Sequence, residues 1–336
     1  MSPANKAAAP PADSRPAWKV LLAFSLIYFV WGSTFLAVRV GVHEVPPLVF
    51  AALRFTSAGL ILFAWMRIKG VAAPTLREWG GVTILGTLIF LLDYGCLFWA
   101  ERTVPSGIAA VVLATIPVFM AFLEIVYLRT QKLTFRLAAA LAIGIFGVVV
   151  LVQSSLSFGE TPPNPRGILA LLLAACTWSI ATVLARRLPQ PHSKPMSAAA
   201  QMVNGGFQLF LAAFLAGEFH NFQFTVISAK VWACLVYLIV FGSIAAFTAY
   251  VWLIHHESPT KVGTYAYVNP VVAVLIGHFL GGESLGPRTI AGTALVLCSV
   301  IAINTIPKPK SQPGPARDSA PIGPAEAPDE ELAQPL

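Results

Sequence analysis

The sequence predicts an all-α, multi-pass membrane protein, and three observations support this prediction. First, 57% of the 336 residues are hydrophobic and only 11% are charged, with a mean hydropathy of +0.74, whereas about 25% of residues are charged in a soluble domain. Second, ten apolar runs of membrane-spanning length follow one another along the chain. Third, the two halves carry matching motifs. Together they predict ten transmembrane helices arranged as two inverted five-helix repeats around a central cavity.

Each predicted span is a run of about 17 to 25 mainly apolar residues, bounded by polar residues or by Pro and Gly. Because a helix rises about 1.5 Å per residue, such a run crosses the hydrocarbon core of a bilayer, which is roughly 30 Å thick. The ten spans are residues 19–40, 47–66, 79–100, 104–127, 135–153, 167–185, 197–216, 231–253, 261–280 and 288–306.

The orientation follows from the basic residues. With a cytoplasmic N-terminus, the inner segments hold sixteen of the 22 Lys and Arg residues and the outer ends hold five, while Arg54 lies within a span. Cytoplasmic loops carry an excess of Lys and Arg, so both termini are predicted to be cytoplasmic. The net charge of +7 is therefore a topology signal, and because the basic residues form no single patch we predict no nucleic-acid partner.

Composition also predicts the domain organisation. Residues 1–17 and 307–336 have too little apolar surface to offset chain entropy and are predicted to be disordered cytoplasmic tails. Residues 18–153 form the first repeat, residues 154–166 an outer linker, and residues 167–306 the second repeat. The first apolar run is too long for the core of a signal peptide, so the first helix is predicted to be retained.

The internal repeat is seen in two pairs of residues. Pro117 lies inside span 4 and Pro270 inside span 9, and the register that aligns them, carried back through each half, sets Trp31 in span 1 beside Trp178 in span 6. Each half then has five spans. Five is odd, so the second copy enters the membrane from the opposite face. Inverted repeats of this kind are typical of transporters.

The two prolines predict where the halves meet. A proline inside a helix leaves one carbonyl without its hydrogen bond, and in hydrocarbon such a carbonyl turns towards a side chain, a water-filled cavity or a ligand. Pro117 lies about 20 Å from the outer end of its span and Pro270 about 15 Å from the inner end, both near mid-depth. Asn269 supplies a donor and an acceptor beside Pro270. We expect spans 4 and 9 to bend around a shared cavity; the alternative is a pair of packing kinks.

Two charged residues lie inside spans at matching depth. Arg54 in span 2 and Asp93 in span 3 each lie about 10 Å below the outer face, where an unpaired charge costs at least about 2.5 kcal/mol. We predict that they approach each other across the cavity, directly or through water. The alternatives are snorkelling of Arg54 to the headgroups and a structural helix contact for Asp93. Glu124 and His278, at the ends of their spans, are weaker candidates for a titrating group.

Four motifs resemble the drug/metabolite transporter superfamily, in its ten-helix EamA branch. They are WGSTFLAVRVGV in span 1, PPLVFAALRFTSAG in span 2, VPSGIAAVVLATIPVF in span 4 and TYAYVNPVVAVLIGHFLGGESL from span 9 towards span 10. The likeness covers about residues 19–306. It implies inverted five-helix halves, cytoplasmic termini, a central substrate path lined by helices 1 to 4 and 6 to 9, and peripheral helices 5 and 10.

One departure from this resemblance concerns an acidic residue that members often carry after helix 4. Glu283 matches it after helix 9, where we expect a loop or helix-capping role, but the segment YLRTQKLT after helix 4 has no acidic residue. A role for a symmetric pair of glutamates is therefore not carried over.

Twelve residues are predicted to line the substrate path, because each places a polar, aromatic or proline side chain inside a path-lining span. They are Trp31, Thr34, Arg54, Asp93, Tyr94, Pro117, Trp178, Asn204, Tyr250, Tyr267, Asn269 and Pro270. No catalytic residue, metal site or cofactor is predicted. The four cysteines lie within apolar spans without C-x-x-C spacing, which indicates small core residues.

The predicted function is secondary active transport of a small organic metabolite, such as an amino acid or a drug-like compound, across the inner membrane by alternating access. The resemblance implies export. The chain has no G-x-x-x-x-G-K-[ST] loop, so the energy comes from a proton or substrate gradient, and which of these remains open.

Two alternatives are left open. A membrane-embedded enzyme would need a nucleophile with a base, or a metal set such as H-E-x-x-H, at matching depth. The other alternative is a membrane protein that is not a carrier, either a non-transporting subunit or a channel. A channel would show a ring of like polar residues along one pathway.

Overall fold

The structure is a computed structural model of the chain. It describes residues 17–127, 134–153, 164–185, 187–220, 222–223, 227–256, 265–283 and 285–305. The predicted C-terminal tail, nearly all of the predicted N-terminal tail and residues 154–163 of the predicted linker lie outside the described residues.

The described residues form ten helices, five in each half of the chain. In the first half, α1 covers 17–42, α2 Pro47–Ile68, α3 76–100, α4 106–126 and α5 Phe135–Gln153. In the second half, α6 covers Pro165–Leu184, α7 Lys194–Leu215, α8 229–256, α9 Tyr265–Gly281 and α10 Pro287–Asn304. Each predicted span coincides with one helix, so the predicted fold class is confirmed.

Six helices in the described part of the chain are long and apolar enough to cross a membrane on length and composition: α1, α2, α3, α6, α7 and α8. Shorter apolar helices lie at Ser106–Met120, Phe135–Gly147 and Val268–Gly281. The end of the bundle where α1 leads into α2 is called the outer end, after the orientation that the basic residues predict.

Local sequence explains several helix starts. Thr75 and Glu78 form a capping box at the start of α3, in which Glu78 Oε2 accepts a hydrogen bond from the Thr75 backbone N–H at 2.7 Å. Ser193 and Ser228 cap the first turns of α7 and α8. Pro47 opens α2, where its missing N–H removes no helical hydrogen bond.

Helix packing follows the repeat. Helix α2 packs on α7, α4 on α9, and α5 on α10, so each of these pairs joins equivalent helices of the two halves. Helix α1 packs on α8 and α9, and in the same way α6 packs on α3 and α4. Exchanging the halves therefore maps one set of contacts onto the other. Helices α5 and α10 pack mainly on each other, at the periphery, as the resemblance implies.

Glycines allow the closest of these contacts. A Cβ atom on Gly206 of α7 would lie 2.7 Å from the backbone nitrogen of Thr56 in α2, and a Cβ atom on Gly59 of α2 would lie 2.6 Å from the backbone nitrogen of Val203 in α7. Both distances are shorter than van der Waals contact, so these backbones approach each other only because the side chains are absent.

Three helices contain a central π-helical segment: Leu26–Val30 in α1, Thr87–Tyr94 in α3 and Leu238–Ala245 in α8. The segments of α3 and α8 lie in equivalent helices of the two repeats. Irregular turns of this kind are often found at functional sites. These segments lie in the central part of their helices, where the backbone departs from regular α-helix.

The two prolines have different effects on their helices. Helix α4 is interrupted, with one segment ending at Leu113 and the next beginning at Ile116, so that Pro117 lies in the first turn of a new segment. Helix α9 continues through Pro270 as a single helix. Of these two helices, α4 is interrupted and α9 is not, and in α9 a tertiary contact of the neighbouring Asn269, described below, accompanies the unbroken helix.

Candidate functional site

A cavity of about 90 Å³ lies between the two halves. We call it the central cavity. Four helices of the first half and two of the second line it, through Trp31, Thr34, Phe35, Val38, Arg54, Asp93, Tyr94, Leu97, Ala110, Leu113, Ala114, Ile116, Trp178, Tyr265, Asn269 and Pro270. Eight of the twelve residues predicted for the substrate path are in this lining. Both the interruption of α4 and Pro270 of α9 border the cavity, as predicted for backbone that departs from regular helix.

Arg54 is buried in α2, with 2% of its side chain exposed. Its Nε donates a hydrogen bond to Ser243 Oγ in the π-helical segment of α8 at 3.0 Å. The guanidinium carbon lies 4.7 Å from the ring centroid of Phe55 and 5.4 Å from that of Tyr94, distances at which a cation is attracted to the ring face. Snorkelling of Arg54 to the headgroups is therefore excluded, because the cation is held inside the protein.

Asp93 lies on α3, 3% exposed, and lines the same cavity. No described residue donates a hydrogen bond to its carboxylate, and the ion pair within 4.0 Å among the described residues joins Arg39 to Glu283 rather than Arg54 to Asp93. The direct form of the predicted Arg54–Asp93 pair is therefore wrong. Arg54 instead contacts Ser243 and the neighbouring aromatic rings. Arg54 and Asp93 thus face one cavity without contacting each other directly.

Asn269 links the second half to the π-helical segment of α1. In the amide orientation that satisfies both of its polar atoms, the Asn269 NH₂ group donates to the carbonyls of Ile27 and Tyr28, each at 3.0 Å. These contacts provide hydrogen-bond partners for carbonyls in an irregular stretch of helix within the membrane. The polar residue beside Pro270 therefore has a defined position at one wall of the cavity.

An aromatic layer borders the cavity on the side of the predicted inner end. The ring centroid of Trp31 lies 5.2 Å from that of Tyr250 and 5.4 Å from that of Tyr265, with the Trp31–Tyr265 pair edge to face. We call Trp31, Tyr250 and Tyr265 the inner aromatic layer. Tyr250, predicted for the substrate path, lies in this layer and not in the cavity lining.

The remaining predicted residues lie elsewhere. Asn204 does not line the cavity: its Nδ2 donates to Thr83 Oγ1 at 3.2 Å, between α7 and α3. The side chains of Pro117, Tyr267 and Glu124 lie outside the described residues.

Glu283 connects the halves at the outer end. Its carboxylate accepts hydrogen bonds from the backbone N–H groups of Ser106 at 2.8 Å and Gly107 at 3.1 Å, at the start of α4. Arg39 Nε lies 3.3 Å from the same carboxylate. The predicted capping role of Glu283 is confirmed, and because the residue follows α9, the cap joins the two repeats.

Sequence reasoning missed several functional candidates. Phe35, Val38 and Leu97 line the cavity, but apolar residues within a span give no signal of the face they occupy. Glu101 follows α3 directly, next to Arg102, in a pattern that suggests an exposed interfacial residue, yet its side chain is fully buried. The only sequence signal for Glu101 was its position immediately after an apolar span.

The fold and the cavity define the class of protein: a multi-pass helical membrane protein whose two inverted repeats enclose a cavity between them, an architecture found in secondary transporters. The chain belongs to the EamA-like transporter family, whose model matches residues 18–153 and 165–305. It is a membrane transporter of the drug/metabolite transporter superfamily and not an enzyme, which sets aside the first of the two alternatives.

Relatives agree with this assignment. The chain is 36% identical over 284 residues to the inner membrane transporter YedA of Escherichia coli strain K12, covering 84% of this chain and 89% of YedA. It is 27% identical over 286 residues to a probable amino-acid metabolite efflux pump of Salmonella typhimurium, covering 82% and 91%. A chain of known crystal structure shares the fold, with a TM-score of 0.59 at 22% identity over 85% of this chain and 95% of the other.

Proposed function

We propose that this transporter is a secondary active exporter of small organic metabolites that carry a carboxylate, with amino acids as the leading class. The central cavity is the observation that supports this proposal most directly. It is bordered by a buried cation, Arg54, a buried acid, Asp93, and aromatic walls that include Trp31 and Trp178. A solute with a carboxylate, an ammonium group and an apolar side chain matches these three surfaces.

The charge of Arg54 is central to the substrate class. A buried guanidinium needs compensation, and a carboxylate ligand accepts hydrogen bonds from it in a bidentate geometry. In this structure the ring faces and Ser243 satisfy only part of its donor capacity. Asp93 offers an acceptor for an ammonium group in the same cavity. The name of the Salmonella relative, which concerns amino-acid metabolites and efflux, supports both the substrate class and the direction.

Alternating access is the proposed mechanism. The repeats at residues 18–153 and 167–306 move against each other about the cavity, which opens in turn towards each side of the membrane. The inner aromatic layer closes one end, and the Arg39–Glu283 contacts close the other. We propose location in the inner membrane, as the name of the Escherichia coli relative states for that protein, with both termini cytoplasmic. Tags at the two ends that react from opposite sides of the membrane would contradict this orientation.

Counterflow in proteoliposomes tests the proposal. Vesicles containing the purified protein and loaded with an unlabelled amino acid should accumulate the labelled one transiently and with saturation. We expect Arg54→Gln to weaken the apparent affinity about 10- to 100-fold, because hydrogen bonds to charged groups contribute about 1.5–3 kcal/mol.

The matched control is Arg67→Gln. Arg67 lies at the exposed end of the same helix and donates a hydrogen bond to the Val71 carbonyl at 2.8 Å. We expect the Arg67→Gln substitution to leave counterflow unchanged. Linear, non-saturating uptake would indicate a channel. Absence of counterflow for every carboxylate solute tried would favour a non-transporting subunit, and the proposal would fall.

A further inference from the structure

Four glutamates lie at the outer end among the described residues, and three of them cap a helix of a neighbouring element. Glu44 accepts from the Ser228 backbone N–H at the start of α8 at 2.8 Å. Glu218 accepts from the Val49 backbone N–H in α2 at 3.0 Å. Glu283 caps α4 in the same way. These contacts stabilise the ionised carboxylate, because each supplies hydrogen bonds at the positive end of a helix.

The fourth, Glu101, has a different environment. Its side chain is 0% exposed, and neither carboxylate oxygen has a hydrogen-bond donor among the described residues. An ionised carboxylate buried without hydrogen bonds is strongly unfavourable, and such groups bind a proton instead. Glu101 therefore differs from the three capping glutamates in having no hydrogen-bond donor among the described residues.

Glu101 also lies where the two halves are joined. Arg39 of α1 donates from Nη1 to the backbone carbonyls of Glu101, at 3.3 Å, and Val104, at 2.5 Å. Its Nε pairs with Glu283, which in turn binds Ser106. We call Arg39, Glu101, Ser106 and Glu283 the outer latch. It connects α1 and the α3–α4 turn of the first half to the segment after α9 in the second.

The charged groups facing Glu101 come from several elements. Burial raises its pKa well above the usual range, and Glu283 acts in the same direction, while Arg39 and Arg54 lower it without reversing the shift. Arg102 follows it in the chain, and His43 and Arg166 lie on neighbouring elements at this end. One of these charged groups, Arg54, also lines the central cavity.

We propose that Glu101 is a proton-binding site that controls the outer latch. With the latch closed, the carboxyl group is buried and protonated; when the halves separate at the outer end, water reaches it and the proton passes to the solution. Closure takes the proton up again. The inference rests on the proposed alternating access, and it adds a group that links the closed state to the pH of the outer solution.

Linkage sets the direction of the effect. The pKa of Glu101 is raised in the closed state and returns towards the ordinary glutamate range in the open state. Between those two values the closed-to-open ratio falls by up to about tenfold for each unit that pH rises. Below both values the ratio is constant and favours closure.

Two measurements on the full-length protein test the proposal without any solute. The first is infrared difference spectroscopy of the purified protein between acid and alkaline pH. We expect the wild type to show a protonated-carboxyl C=O band that titrates above the ordinary glutamate range, and Glu101→Gln to lose the part of this band that Glu101 contributes. If the band is unchanged in Glu101→Gln, the proton lies elsewhere and the proposal is overturned.

The second measurement follows the latch itself. Spin labels at Thr103→Cys and Leu280→Cys, both exposed positions, in a chain with the four native cysteines replaced by Ala, report the separation of the halves. We expect wild-type distances to lengthen as pH rises, and Glu101→Gln, which mimics the protonated acid, to keep the short distance throughout. A Glu101→Gln protein that retains the pH response of the wild type would overturn the proposal.

Glu44→Gln is the matched control, because it also removes one carboxylate at the outer end; it should follow the wild type. If Glu101→Gln does not fold, Glu101→Asp keeps a titrating group on a shorter side chain and should shift the midpoint of both signals, and an unshifted midpoint would contradict the assignment. Since no solute is present, failure here leaves the carrier proposal intact. Absent counterflow together with the expected pH response would instead place the fault in the proposed substrate class.

Discussion

The indole Nε1 of Trp31 donates a hydrogen bond to the carbonyl of Gly242 at 3.1 Å, from α1 to the π-helical segment of α8. Together with the Asn269 contacts to Ile27 and Tyr28, it shows how irregular helix is tolerated within the membrane in this protein. In both places a side chain from the opposite half binds a carbonyl in a π-helical segment. Trp31 and Asn269 therefore both form hydrogen bonds that connect the two repeats.

Replacement of Trp31 by Phe tests this contact. The ring and its packing on Tyr250 and Tyr265 are largely kept, but the Gly242 carbonyl loses its donor. We expect the free energy of unfolding to fall by about 1–3 kcal/mol, the cost of leaving a buried polar group unsatisfied. Thermal unfolding in detergent measures it. Trp65→Phe is the control, since Trp65 is 54% exposed; equal losses in both variants would show that the hydrogen bond contributes nothing.

The contact between α2 and α7 leads to a second prediction. Gly206→Ala places a Cβ atom 2.7 Å from the Thr56 backbone nitrogen, so the helices must separate, at a cost of about 1–3 kcal/mol. Gly80→Ala lies within α3 with nothing near the new Cβ atom and should stabilise by about 1 kcal/mol through helix propensity. Melting temperatures of the two variants should therefore move in opposite directions, and a Gly206→Ala protein as stable as the wild type would contradict the packing.

The Glu283 cap gives a third prediction. Glu283→Ala removes the acceptor for Ser106 and Gly107 together with the partner of Arg39, and we expect a loss of about 1–2 kcal/mol, as for other helix caps. Glu283→Gln keeps one accepting oxygen but loses the charge and the second acceptor, so its loss should be smaller than that of Glu283→Ala. Chemical denaturation of both proteins measures the two losses. Similar losses in the two variants would show that the remaining acceptor contributes nothing.

Glu44 gives a prediction in pH. Hydrogen bonds from Ser228 lower the pKa of Glu44 below its usual value. A carboxylate with a depressed pKa stabilises the folded state above its unfolded pKa, and that contribution is lost as pH falls through the folded value. The wild type should therefore lose stability between mildly and strongly acid pH more steeply than Glu44→Gln. Melting temperatures recorded across that range decide the point, and parallel curves would exclude a contribution of Glu44.

Much of the site was predicted from the sequence because membrane helices place strong limits on polar residues. Arg54 and Asp93 could be identified as inward-facing since neither is tolerated in lipid, and both line the cavity. The absence of a direct contact between them could not be predicted, because depth along a helix does not give the rotation of a side chain about the helix axis. Asn204 has the right depth and the wrong face, between α7 and α3.

The sequence by itself determined the number of spans, their repetition in two halves and the polar residues that avoid lipid. Hydropathy, the odd number of spans in each half and the cost of a buried charge all depend only on the order of residues along the chain. Only the tertiary structure decided which faces meet. It placed Ser243 rather than Asp93 against Arg54, and it interrupted α4 but left α9 continuous. It also buried the Glu101 carboxylate with no hydrogen-bond donor among the described residues. Those outcomes depend on helix rotation and on contacts between residues far apart in the chain, which local patterns do not encode.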